Sequence, residues 1–193
     1  MNLGIFGGVF NPPHIGHLIA AQAVCEQLRL DKIYFVPAAD PPHRADLSRA
    51  SADHRLKMVR LAIAGNPSFE VSHIEIRRPG KSYTYDTILT FGALHPGTKL
   101  FLLLGSDNFA EFHTWRLPRE IIARCEPVVF TRPGFETTDT KSEFHRAARF
   151  VNVPSVAISA SDIRRRVKMG RSIRYFVTKE VEEYVLKHGL YRD

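Results

Sequence analysis

Four short runs, Leu3-Gly4-Ile5-Phe6, Ile33-Tyr34-Phe35-Val36, Leu100-Phe101-Leu102-Leu103-Leu104 and Val128-Val129-Phe130, are apolar at nearly every position instead of alternating with polar residues. A strand with one wet face alternates, so strands of this kind need cover on both faces, as in a parallel sheet. Segments of helical spacing separate them. Residues 15–28 carry Ile15, Leu18, Ile19 and Val24 on a face to be buried; a second segment, capped by Ser51 or Asp53, carries Leu56, Val59, Arg60 and Ile63. Residues 83–94 repeat the spacing through Thr87, Ile88, Phe91 and Leu94, residues 161–169 form another helix, and about 178–188 a last one, with Val181, Tyr184, Val185 and His188 on one face and Gly189 as its stop. Phe69-Glu70-Val71 and residues 150–153 read as further strands. The alternation predicts an α/β chain, a Rossmann-like parallel sheet with helices on both faces. Residues 1–193 are expected to form one domain, with the C-terminal helical part, from about 159 to 193, packed on the sheet.

Sheets of this kind bind ligands outside the carboxyl ends of their strands. Here those ends carry Gly7-Gly8, residues 40–44, Gly105-Ser106-Asp107 and Arg132-Pro133. The first is the most distinctive: GIFGGVFNPPHIGH, from Gly4 to His17, reads as strand, glycine turn and helix start. His14 and His17 are expected in the first helical turn, on one side, beside backbone N–H groups that lack an intrahelical partner. That is a setting for phosphate. Two histidines could instead ligate a metal or decorate a surface. A metal needs a further ligand, and Cys25, two turns on, has no Cys-x-x-Cys partner. The paired glycines and prolines favour the anion, and no metal ligand is assigned.

The chain has no G-x-G-x-x-G and no G-x-x-x-x-G-K-[ST], so neither a dinucleotide fold of the dehydrogenase type nor P-loop hydrolysis is supported. A formal charge of +7 and a pI near 9.6 call for an anionic partner. The basic residues cluster at Arg164-Arg165-Arg166, Lys168, Arg171 and Arg174, and at Arg77, Arg78 and Lys81, without the interleaved aromatics of a nucleic-acid face. Small anionic substrates are therefore expected, not nucleic acid. No run of eighteen apolar residues and no leader is present, which points to a cytoplasmic protein with no membrane partner. Cys25 and Cys125 lack metal or redox spacing and are expected to be plain core thiols. A helix start with two histidines and a second at Ser159-Ala160-Ser161-Asp162-Ile163-Arg164 could grip a triphosphate from two sides.

GGVFNPPHIGH together with ISASDIR resembles the paired motifs of the HxGH nucleotidyltransferase superfamily. Pro41-Pro42-His43-Arg44, residues 82–87 (SYTYDT), Gly105-Ser106-Asp107, Trp115 and Arg132-Pro133-Gly134 narrow the resemblance to the bacterial nicotinate-nucleotide adenylyltransferases, from end to end of the chain. Val9 stands where Thr or Ser is usual and removes a possible hydroxyl contact to phosphate. Arg44 stands where Lys is usual and offers a planar fork for a phosphate.

The reaction implied joins ATP and nicotinate mononucleotide into nicotinate adenine dinucleotide and pyrophosphate. The resemblance implies His14, His17 and Arg164 as catalytic residues, and an ATP site of Gly7, Gly8, Val9, Phe10, Gly105, Asp107, Ser159 and Ser161 around them. It implies Asn11, Arg44, Thr84, Tyr85, Asp107, Trp115 and Arg132 for the second substrate. Thr84 and Tyr85 would take the nicotinate carboxylate, Trp115 would stack on the pyridine, and Asp107 would accept from ribose hydroxyls. Mg²⁺ is expected as cofactor, carried mainly by the ATP phosphates and water. Two alternatives stay open: another HxGH adenylyltransferase, acting on the amidated mononucleotide or on phosphopantetheine, and a basic nucleic-acid-binding domain.

Overall fold

The computed structural model describes residues 1–42, 50–130, 142–154 and 156–192. The apolar runs form strands β1 (Asn2–Gly8), β2 (Lys32–Pro37), β3 (Phe69–Val71), β4 (Lys99–Gly105), β5 (Glu126–Phe130) and β6 (Arg149–Val151). They make one sheet in the order β3-β2-β1-β4-β5-β6, with every pair parallel. Around it lie α1 (Ile15–Gln27), α2 (Ala52–Ala62), α3 (Ile74–Arg77), α4 (Thr84–Leu94), α5 (Ser106–Ala110), a 3₁₀ turn (Phe112–Thr114), α6 (Pro118–Ile122), α7 (Glu143–Ala147), α8 (Ala160–Lys168) and α9 (Lys179–Lys187). This is the expected Rossmann-like fold.

Strand side chains alternate between the two faces, and each face has its own core. Phe6, Ile33, Phe35, Phe101, Leu103, Val128 and Phe130 pack with Ala20, Ala21 and Val24 of α1 and Val59 of α2. Leu3, Ile5, Val36, Leu100, Leu102, Leu104 and Val129 pack on the other side with Ile88 and Phe91 of α4 and with Phe109, Phe112 and Ile121. Both cysteines are buried free thiols, as expected. No helix among the described residues is long and apolar enough to cross a membrane.

The structure corrects several expectations. The C-terminal helices do not lie on the strands. Ile163 and Val167 of α8 and Val181 and Val185 of α9 pack with Met58 and Ala62 on the outer side of α2, forming a third layer. Their apolar stripes are narrow, and α2 presents Val59 to the sheet while Met58 and Ala62 face away from it. Ile15, Leu18 and Ile19 are half-buried, and the buried face of α1 is Ala20, Ala21, Val24 and Cys25. Leu94, expected on an apolar face, is 61% exposed at the end of α4. Strand β6 starts a residue early and ends at Val151, and α8 starts at Ala160 behind its cap Ser159. The short helices α3, α5, α6 and α7, and the 3₁₀ turn, were not foreseen; four or five residues are too few for a period to show.

One buried charge ties the carboxyl edge together. Arg55 of α2 is 1% exposed, and its guanidinium donates to the carbonyls of Val9 (2.8 Å), Ala39 (3.3 Å) and Ala50 (3.0 Å). It thereby joins the segments that follow β1 and β2 to the approach of α2. Replacing Arg55 by Met is expected to cost on the order of 3 kcal/mol, since three carbonyls lose a charged donor at once; urea unfolding measures this. Burial pushes the Cys125 thiol up to about 12 from its ordinary 9.0, so the unfolded chain loses this proton first and stability falls as pH rises from 9 toward 12. At pH 8 a thiol reagent should leave Cys125 unlabelled in the folded protein and label it in denaturant.

Candidate active site

Strand order reverses between β1 and β4: successive strands run outward from β1 through β2 to β3, and from β4 through β5 to β6. The loops leaving β1 and β4 diverge there, and a cleft of about 630 Å³ opens at their carboxyl ends. Its first wall is the stretch after β1. Gly7 and Gly8 finish the strand instead of forming the turn, and the left-handed residue is Phe10, at φ 49°. The Phe10 ring is held by Phe6 (5.6 Å between centroids), His17 (5.1 Å) and Phe35 (5.8 Å). Burial of that ring offsets the backbone strain. A Cβ on Gly8 would come within 3.0 Å of it.

His14 caps α1 and His17 stands at its third position, so the pair straddles the helix start. The rings stack, 3.6 Å apart at 29°. A Cβ on Gly16 would lie 3.1 Å from His14 Nδ1, which is why glycine separates the two. The expected row of free amides is largely committed. Ile15 N–H donates to the Phe176 carbonyl (2.9 Å) and His17 N–H to the His14 carbonyl (2.9 Å). The N–H of His14 donates to His17 Nδ1 (3.1 Å). With Nδ1 accepting, the proton of a neutral His17 ring sits on Nε2, which is a donor. Attraction for an anion at this helix start thus passes from the backbone to the imidazoles.

The facing wall is the start of α8. Ser159 caps it: its Oγ accepts from Asp162 N–H (3.1 Å) and donates to Asp162 Oδ2 (2.8 Å). Ser159 is thus engaged in capping, while Ser161 lines the cleft from an exposed position. Arg164, one turn in, donates from Nη1 to the Asn11 carbonyl (3.0 Å), so the two motifs touch. Asn11 is the joint. It is 3% exposed, and its Oδ1 accepts from Ala50 N–H (3.0 Å) and Tyr191 O–H (2.9 Å).

The other half of the cleft is built by β4, the 3₁₀ turn and α4. Gly105 caps α5 and Asp107 lies in its first turn; both line the cleft. Trp115 ends the 3₁₀ turn, half-buried, with its ring 5.2 Å from Phe112. Thr84 begins α4, whose cap residue Tyr83 makes no side-chain capping bond. Behind that start Glu75 is 6% exposed. Burial raises its carboxyl above the ordinary range, against the lowering effect of hydrogen bonds from Thr87 and Ser82 and of nearby Arg78.

Of the residues expected at the site, Gly7, Gly8, Val9, Phe10, Asn11, His14 and His17 line the cleft on one side, with Ser159, Ser161 and Arg164 facing them. Thr84, Gly105, Asp107 and Trp115 line the remainder. The Tyr85 ring does not line it; it packs with the core under Arg124, whose guanidinium stands 5.6 Å away. Arg44 and Arg132 lie outside the described residues. Arg55, Glu75, Asn108 and Arg116 went unnoticed in the sequence. Asn108 and Arg116 also line the cleft, and Arg116 pairs with Asp86 (3.2 Å) and covers the Tyr83 ring (4.8 Å). No local motif marks any of them.

Residues 5–166 match the cytidylyltransferase-like family. A probable nicotinate-nucleotide adenylyltransferase of Salinibacter ruber is 40% identical over 192 residues, covering 100% of this chain and 98% of its own. That of Thermus thermophilus is 42% identical, with 100% of both chains covered. Among solved structures, a nicotinic acid mononucleotide adenylyltransferase of Plasmodium falciparum complexed with APC superposes with a TM-score of 0.80 over 98% of this chain and 96% of its own, at 19% identity. With two stacked histidines at one helix start, an arginine from another bonded to the Asn11 carbonyl, and full-length relatives at this level of identity, the chain belongs to the nicotinate-nucleotide adenylyltransferase family.

Proposed function

We propose that this chain transfers the adenylyl group of ATP to nicotinate mononucleotide, giving nicotinate adenine dinucleotide and pyrophosphate, as a cytoplasmic enzyme acting through one domain, residues 1–193. The observation that carries the reading is that one cleft contains both halves of the chemistry. Its His14/His17/Arg164 side presents cationic and N–H donors, and its Thr84/Trp115/Asp107 side presents a helix start, an aromatic face and a ribose acceptor.

A phosphate oxygen of nicotinate mononucleotide forms the new bond to the α-phosphorus of ATP, and the bond to the pyrophosphate oxygen breaks. The nucleophile is ionised at neutral pH, so no general base is required; positioning and charge stabilisation do the catalysis. His17 donates from Nε2 to a phosphate oxygen. Arg164, whose Nη1 donates to the Asn11 carbonyl, places its positive charge on the side of the departing phosphates. The ring of Trp115 stacks on the pyridine, and the N–H groups of Thr84 and Tyr85 take its carboxylate.

Among the described residues no group of three His, Cys, Asp or Glu converges as a metal cage. The donor set fits Mg²⁺ only as a passenger on the triphosphate, held through water, where it would neutralise phosphate charge. Much of the basic C-terminal surface is occupied internally: Arg165 pairs with Asp162, Arg166 bonds the Ser172 carbonyl and covers the Phe176 ring, and Arg174 pairs with Glu182. That favours a small-molecule enzyme over a nucleic-acid module.

Pyrophosphate release from ATP should be fastest with nicotinate mononucleotide when compared with the amidated mononucleotide and phosphopantetheine; a preference for either of those overturns the assignment. His17→Ala is expected to lower kcat by about 10² to 10³, the size of losing one transition-state donor, with the fold intact by circular dichroism. The double replacement of His14 and His17 by alanine should abolish release altogether.

A further inference from the structure

We infer that Glu75 is a positioning residue for the pyridine-nucleotide substrate, setting the turn at residues 82–87 by holding the hydroxyl of Thr87 at its α4 end. The inference rests on the proposed function, which gives the second substrate to this side of the cleft.

The hydrogen-bond inventory is specific. Ser82 Oγ accepts from the N–H groups of Ala39 (3.0 Å) and Asp40 (3.2 Å), which ties the entry of this turn to the segment after β2. Thr87 Oγ1 accepts from Arg78 Nη2 (3.3 Å) and lies 2.5 Å from Glu75 Oε1 against 3.3 Å from the Tyr83 carbonyl, so its proton goes to Glu75. Arg78 Nη2 donates in addition to the Tyr83 carbonyl (3.3 Å). Glu75 is thus the terminal acceptor for the hydroxyl of Thr87 in the first turn of α4, while Ser82 fixes the other end of the turn to the segment after β2. Between them stand Tyr83 and Thr84, at the point where α4 opens on the cleft. Tyr83 supplies no side-chain cap, so the direction of the first α4 amides depends on how the two ends of this turn are fixed.

Glu75→Gln keeps the size and replaces a charged acceptor by a neutral amide. The charge-assisted bond from Thr87 is lost, and the α4 end of the turn is released. The KM for nicotinate mononucleotide is expected to rise about tenfold, with kcat and the KM for ATP changing less than about twofold. Thr87→Val should give a similar rise, and the Glu75→Gln/Thr87→Val pair little more than either alone, because both cut one linkage. Wild-type and variant thermal midpoints are recorded alongside. A parallel rise in the KM for ATP, a fall in kcat at unchanged KM, or additive effects in the pair would overturn the inference. Preference of the unmutated enzyme for the amidated mononucleotide would overturn the substrate assignment instead, and the split in KM, read on the preferred pyridine nucleotide, would still decide the role of Glu75.

Discussion

The reversal of strand order between β1 and β4 is the constraint on which the site depends. Two neighbouring parallel strands send their chains to opposite faces of the sheet, and the edge between them is left without a covering helix. A gap in a well-packed protein is unfavourable unless its walls are polar enough to hold water or ligand. Here one wall ends in histidines and the other in Asp107, and the apolar cores close beneath them at Phe6 and Leu104. The sheet makes the cavity; the loops decide its chemistry.

That division explains where unfavourable local geometry is tolerated. Phe10 holds a left-handed backbone, and Arg55 buries a guanidinium beneath the phosphate-facing turn. Each would be destabilising alone, yet each is determined from several sides. The Phe10 ring sits among Phe6, His17 and Phe35, and the Arg55 fork has a carbonyl for each arm. The C-terminal layer contributes in the same way, through Phe176 to the first amide of α1, through Arg164 to the Asn11 carbonyl, and through Tyr191 to the Asn11 side chain. It bypasses the sheet yet reaches the site three times. Catalytic geometry in this chain is therefore a property of all three layers.

The sheet was legible because buried parallel strands leave an unmistakable pattern: Leu100 to Leu104 can be little else. The paired motifs were legible because glycine, proline and histidine at fixed spacing have few structural uses. The detail between them was not. The helix start after Pro13 promised free amides, but Phe176, more than 150 residues on, takes one of them, and long-range acceptors leave no local trace. Ser159 lines the cleft and also caps α8, a second task that the motif does not announce because the same hydroxyl suits both. Tyr85 follows Thr84 in the motif, yet helical geometry turns its ring into the core. Arg55 and Glu75 were invisible because a charged residue in a helix is ordinarily a surface residue; burial at 1% and 6% exposure is a tertiary fact.

Glu75 also raises an electrostatic question that the fold answers. A carboxylate buried behind a turn proposed to receive another carboxylate is repulsive if it acts at a distance. Arg78 stands beside it, with one arm on Thr87 and the Tyr83 carbonyl, so the pair presents little net charge to the cleft. On the inference drawn above, what Glu75 supplies is direction: the Thr87 hydroxyl pulled toward one acceptor, and the start of α4 held beside it. In the proposed function, attraction for the anionic substrates comes from elsewhere, from His17, Arg164 and a chain whose formal charge is +7. Keeping the source of attraction apart from the source of orientation lets the turn discriminate by geometry, since a strong local charge would draw any anion while aligned amides favour the one whose oxygens meet them.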